Sequence, residues 1–177
     1  MKDLYESILN DIDVTLTDSD VKVARVLIQK YLEDNYSYRG NCTVSEKPNK
    51  DGLYEVSSDS GIEVKNTKIT SFTNGSFVWT NVEGYFNCSN CNSLKTLEGA
   101  PKEVEGTFYC TGCKSLKTLE GAPEIVHHFD CSYCKSLKTL EGAPEIVRGN
   151  FYCSDCGKLF TKDYVKKISK INGYIYC

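Results

Sequence analysis

The chain has 177 residues, 40% of them hydrophobic and 25% charged, with a formal net charge of -3. That is material for one packed domain, or a domain with a cap, and it argues against general nucleic-acid binding, which rests on Lys and Arg neutralising phosphates. No stretch approaches the ~18–20 apolar residues of a membrane span, and Met1-Lys2-Asp3-Leu4 brings in an acid with no apolar h-region, against a secretory signal. The expected setting is the cytoplasm.

Residues 2–13 bring Leu4, Ile8 and Ile12 to one helical face. Thr17-Asp18-Ser19-Asp20 resembles a capping box leading into Val21, Ala24, Leu27, Ile28, Tyr31 and Leu32 at helical spacing. Residues 38–58 read as two strands around a Lys47-Pro48-Asn49-Lys50-Asp51-Gly52 turn. The block 1–60 is then either a helical and hairpin cap or a small effector domain, and the sequence leaves both open. Charge divides along the chain: residues 1–36 hold eight acids against four bases, whereas residues 157–177 hold five lysines against one acid. Two solvated helices of opposite charge account for this.

The second domain is expected over 61–177. Gly61-Ile62-Glu63-Val64, followed by Ile69 and Phe72, reads as a degenerate coil 24 residues ahead of Phe86. Phe77 and Trp79 in the gap are expected to seal the core. A strict repeat follows. Ser93–Pro101, Ser115–Pro123 and Ser136–Pro144 all read SLKTLEGAP. Each follows a C-x-x-C pair: Cys88/Cys91, Cys110/Cys113 and Cys131/Cys134. A fourth pair, Cys153/Cys156, opens a coil whose second half departs from the pattern. Phe86, Phe108, Phe129 and Phe151 each stand two places before a pair, at steps of 22, 21 and 22 residues. A period in this range signals a solenoid.

A C-terminal cap is expected from about residue 158. Thr161 is a fair N-cap for a helix with Tyr164, Val165 and Ile168 as its apolar stripe. Gly173-Tyr174-Ile175-Tyr176-Cys177 then echoes Gly149-Asn150-Phe151-Tyr152-Cys153, predicting a closing strand with Ile175 and Cys177 inward.

The third coil reads Val126-x-x-Phe129-x-Cys131-x-x-Cys134-x-x-Leu137-x-x-Leu140. It resembles the leucine-rich-repeat signature L-x-x-L-x-L-x-x-N/C-x-L in its cysteine-containing form. The departures are an extra residue between Val and Phe in the other three coils, and Cys where Leu or Val is usual. The resemblance covers about residues 62–177 and implies an α+β solenoid: a short leucine-rich-repeat stack with a parallel sheet, a helical N-terminal region and a helix–strand cap. In such a coil Phe and the first Cys face inward, the residue between them faces out, and Gly-Ala-Pro forbids a long return helix. Each larger inward side chain contributes ~1.5–3 kcal/mol on burial, so the coils must stack. Stacking would also align Lys95, Lys117 and Lys138 beside Glu98, Glu120 and Glu141 as a solvated face on which the two columns compensate.

Ten cysteines invite a chemical reading. Cys88/Cys91 and Cys110/Cys113 have the C-x₂-C-x₁₈-C-x₂-C spacing of a zinc ribbon. Against zinc stands the register, since every one of these cysteines falls on a core or turn position of the repeat, where a thiol serves as a small hydrophobe. The primary reading has no metal and no cofactor. Disulfides between adjacent coils fit the spacing, and a redox C-x-x-C would need an electropositive helix N-terminus. His127 and His128 are adjacent, with one expected to face in or sit at the corner and the other to face out. No base, nucleophile or paired carboxylate accompanies them, so an enzyme is not expected.

What varies between coils is the outward strand surface: Asn87, Tyr109, Asp130, Tyr152 and Tyr176 between Phe or Ile and Cys, and Tyr85, His128, Asn150 and Tyr174 one residue before, with Tyr133 just beyond. Tyrosine gives large contact area at low entropic cost and is enriched in binding hot spots. The expectation is a protein-binding surface. The compact repeat unit also resembles small uncharacterised repeat proteins of tailed phages, which implies an inhibitor or adaptor acting in the host cytoplasm on a host protein, an anti-phage defence protein among the candidates. The alternatives are a zinc-binding or redox protein using the C-x-x-C pairs, and a carbohydrate or small-ligand binder on the tyrosine strip.

Overall fold

The structure is a computed structural model and describes residues 17–177; the helix expected over 2–13 lies outside them. The chain is a β-solenoid of about six turns with a parallel sheet. Helix α1 (Asp18–Asn35) starts at Thr17, whose hydroxyl accepts the Asp20 N–H while the Asp20 carboxylate accepts the Thr17 N–H, completing the capping box. Its Ile28 and Leu32 are buried. Val23, Val26 and Leu27 are exposed, so Leu27 lies outside the core that its helical spacing suggested.

Strands β1 (Tyr36–Tyr38), β2 (Cys42–Val44), β3 (Tyr54–Ser58), β4 (Ile62–Val64) and β5 (Phe77–Val82) build the entry to the stack. β2 and β3 form the antiparallel pair around the 47–52 turn, and β1 covers β4 antiparallel. β3 pairs in parallel with β5, so the sheet runs across position 60 without a break. Phe77 and Trp79 are buried, and Trp79 packs edge-on against Tyr36 at 5.3 Å and Phe86 at 5.9 Å. This aromatic plug closes the N-terminal end of the core.

The repeating turns follow as β6 (Phe86–Asn87), β7 (Glu103–Tyr109), β8 (Ile125–Asp130), β9 (Ile146–Val147) and β10 (Phe151–Tyr152). After helix α2 (Lys162–Ile168), capped by Thr161, come β11 (Lys170–Ile171) and β12 (Ile175–Tyr176). Two parallel ladders emerge. One column runs Val82, Val104, Val126, Val147 and Ile171. The other runs Ile62, Phe86, Phe108, Phe129, Phe151 and Ile175. Rings of Phe86, Phe108 and Phe129 stack at 5.5 and 5.6 Å, within 5° of parallel.

The return side is a chain of tight turns. Cys91 N–H donates to the Cys88 carbonyl, Leu94 to Cys91 and Ala100 to Leu97, and the pattern recurs a coil later. Every third residue therefore points inward, and Cys88, Cys91, Leu94 and Leu97 are all buried. Gly121 closes its corner at φ +83°, with the position of a Cβ 2.4 Å from Glu98 Cα, so only glycine fits. The Lys and Glu columns are exposed. Among the described residues no ion pair joins them; the pairs formed are Lys30–Asp34 and Arg148–Glu103. Adjacent coils are joined there by backbone bonds instead, such as Leu97 N–H to Glu120 O.

The variable spacing between Val and Phe has a local cause. In the longer coils a glycine bulges out of the ladder: register shifts between Val104 and Thr107, and Gly106 N–H donates to Gly84 O, with no room for a Cβ. The third coil omits this residue, and the His127 carbonyl takes the bond from Gly149 N–H. Neither histidine enters the core: His127 is exposed and His128 half-buried. At the C-terminal turn Ile175 is buried, but Cys177 is exposed and not part of the core.

Candidate functional site

The parallel register brings the outward residues into one line. Glu63, Asn87, Tyr109, Asp130, Tyr152 and Tyr176 stand in successive strands, each opposite the next. Glu63 at the head of this line escaped the sequence reading, although the alternation Ile62-Glu63-Val64 signals it. Tyr152 and Tyr176 stack at 4.8 Å and 6°. Tyr174 adds a tilted ring at 6.4 Å from Tyr176. Tyr109 stands apart from these rings, with Asp130 between it and Tyr152.

Not every outward side chain is free to bind. Asn87 accepts the Ser89 N–H at 2.9 Å and donates to Glu63 Oε1 at 3.0 Å; Asp130 accepts the Ser132 N–H at 2.9 Å. Both hold the turn after the strand, as Asx side chains do. Asn150 is a hub. Its N–H donates to His128 Nδ1 at 2.7 Å, its Nδ2 to the Tyr152 hydroxyl at 2.8 Å, and its Oδ1 accepts the Tyr174 N–H at 2.9 Å. Burial, with the neighbouring His127, holds the His128 imidazole below its ordinary value. Asn150 thus holds the Tyr152 hydroxyl and the Tyr174 backbone, while His128 holds Asn150.

Tyr133 sits beyond the strand at φ 62°. Asn90 and Asp155 share that left-handed region at the equivalent place, and Gly112 fills it in the second coil. Tyr133 is 53% exposed, with the Lys135 ammonium over its ring, 5.9 Å from the centroid. Tyr85 is also exposed, its ring lying across Gly61, where a Cβ would come within 2.5 Å of it.

The cysteines form a separate internal arrangement. Cys88, Cys110 and Cys131 donate their thiol hydrogens forward to the carbonyls of Tyr109, Asp130 and Tyr152. Cys113, Cys134 and Cys156 donate backward to the carbonyls of Cys88, Cys110 and Cys131. Burial pushes the Cys88, Cys110 and Cys131 thiols well above the ordinary thiol range. A neighbouring thiol and backbone N–H groups hold Cys113 and Cys156 below it. Among the described residues, no group of three or more His, Cys, Asp or Glu side chains is arranged to hold a metal ion. No described helix is long and apolar enough to cross a membrane. A groove of about 270 Å³ is lined by Val78, Trp79, Gly99–Lys102, Gly121, Ala122 and Glu124, on the return corner.

Comparison with known proteins found no matching family model, no matching curated protein and no matching solved structure.

Proposed function

We propose that this solenoid is a protein-binding module of the cysteine-containing leucine-rich-repeat kind, an adaptor or inhibitor rather than an enzyme, and that it engages its partner through the tyrosine-rich strand face. The observation that carries this reading is Tyr133. A bulky, largely exposed side chain in the left-handed region costs roughly 1–2 kcal/mol and gains little packing in return. Strain of this kind at an exposed position points to use, and the same face supplies Tyr109, Tyr152, Tyr174 and Tyr176. A host protein is the kind of partner that the phage resemblance suggests. The repeat order of inward Val, Phe, Cys, Cys, Leu and Leu supports the leucine-rich-repeat assignment.

The test is a Tyr109→Ala/Tyr152→Ala double variant. Hot-spot tyrosines are worth about 2 kcal/mol each, roughly thirtyfold in affinity. The variant should keep the wild-type circular dichroism and melting curve yet fail to capture the protein that the wild type retains from a bacterial lysate. Undiminished capture would move the site to another surface, with residues 1–60 the first to examine. Retention of glycans on an array, with no protein captured, would favour the carbohydrate reading.

A further inference from the structure

The first cysteine of each coil belongs to a column that Cys177 extends. Tyr152 pairs with Tyr176 in register, so Cys153 and Cys177 are the next residues on neighbouring parallel strands. Such strands lie ~4.8 Å apart, inside the ~4.4–6.8 Å range of Cα separations that a disulfide bridges. The earlier members of the column satisfy their thiol hydrogens on backbone carbonyls. Cys153 breaks that rule. Its sulfur lies 3.2 Å from Cys177 Sγ. Cys153 is buried whereas Cys177 is exposed, so this pair joins the inner column to solvent. Closing to a bond length of ~2.0 Å asks for little more than ~1 Å of movement.

We propose that Cys153 and Cys177 are a thiol pair that a small-molecule disulfide oxidises to an intramolecular bond, fastening the last turn of the solenoid to the one before it. The exposed Cys177 thiolate attacks one sulfur of the small disulfide and expels its partner as a thiolate. The Cys153 sulfur, losing its proton to solvent, then attacks Cys177 Sγ and expels the second small thiolate. Two protein thiols become one disulfide, the small disulfide takes up two electrons, and the two protons end on the released thiols. The last turn carries Tyr174 and Tyr176, so the bond also holds Tyr176 against Tyr152; its formation does not depend on whether that face binds a partner.

The full chain, folded, is incubated with glutathione disulfide, quenched with N-ethylmaleimide and digested with trypsin. The expected product is a cross-link between the peptides spanning 149–158 and 171–177, lighter by two hydrogens, with free thiols falling from ten to eight. Fragmentation places the bond on Cys153, and it persists in Cys156→Ser. Amide exchange at 174–176 slows several-fold on oxidation and recovers with dithiothreitol. Cys177→Ser, an exposed and isosteric change, abolishes both effects without altering circular dichroism. Oxidation that stops at a glutathione adduct on Cys177, a bond through Cys156 or Cys42, a bond between two chains, or retention of all ten thiols would each overturn the proposal.

Discussion

Tyr133 and Gly112 occupy the same left-handed position in consecutive coils. A glycine there costs nothing sterically, whereas a tyrosine must press its Cβ against the following carbonyl. Tyr133→Gly should therefore be neutral or stabilising despite deleting an aromatic ring. We expect a gain of up to ~1 kcal/mol, since the added chain entropy of glycine offsets part of the relief, seen as an unchanged or higher urea midpoint. The same variant should weaken partner capture. A clear loss of stability would mean that the ring packs usefully and that the strain argument fails. The residue scale is also where sequence reasoning was least complete. That Tyr152 and Tyr174 face outward was legible from strand alternation. That Asn87 and Asp130 serve their own turns rests on local bonds to the N–H two residues on, whereas the bonds of Asn150 with His128 and Tyr174 run across coils, which no periodicity encodes.

Along each coil the thiols act as packing, and their protonation follows from it. Burial raises the Cys88, Cys110, Cys131 and Cys153 thiols, and pushes Cys42 and Cys91 up to about 12. The unfolded chain loses these protons near the ordinary value of 9.0. The folded form thus retains protons that the unfolded form releases. The stabilisation is complete below about pH 9 and is lost as pH rises towards 12, at about 1.4 kcal/mol per pH unit for each fully affected thiol. Cys113 and Cys156, held below the ordinary value, add stability as pH rises to about 9 and contribute no slope above it. The urea midpoint at pH 10 should fall well below that at pH 7, and replacing Cys110 with Ala should flatten the slope. A midpoint constant across this range would show that the buried thiols already ionise in the folded chain. The period of the repeat made these elements legible, because identical residues at fixed spacing must form columns. The entry strands were harder to place, since β3 finds its partner β5 only across an irregular loop.

Across the whole molecule, stability passes from coil to neighbouring coil. A solenoid of this kind is held by nearest-neighbour interfaces, so position in the stack decides how far damage travels. Leu119 is fully buried in a middle coil, and Ile175 is buried in the last. Leu119→Ala should lower the stability of the entire chain by ~2–5 kcal/mol and raise hydrogen exchange on both sides of it. Ile175→Ala should raise exchange only from about residue 170 onward and leave the main unfolding midpoint nearly unchanged. Equal effects from the two would show that the stack unfolds as one unit, without separable turns. Repetition announced the solenoid in the sequence, yet six turns are built where four were plain. The first and last carry Ile62 and Ile175 in place of the phenylalanine that marks the column; the sequence offers them as a degenerate coil and a closing strand, and the parallel pairing with Phe86 and Phe151 seats them in the column.

Near-identical coils create a hazard during folding, because a coil that docks one place out of step meets almost the same neighbours. The third coil is one residue short and lacks the bulged glycine, so its His127 carbonyl receives Gly149 where the other coils present glycine to glycine. Docked on the wrong neighbour, it would leave a bulge without its counterpart and a histidine ring over a surface not shaped for it. The missing residue works as a key cut into an otherwise uniform stack, marking the third coil and penalising the off-by-one assemblies to which repeat proteins are prone.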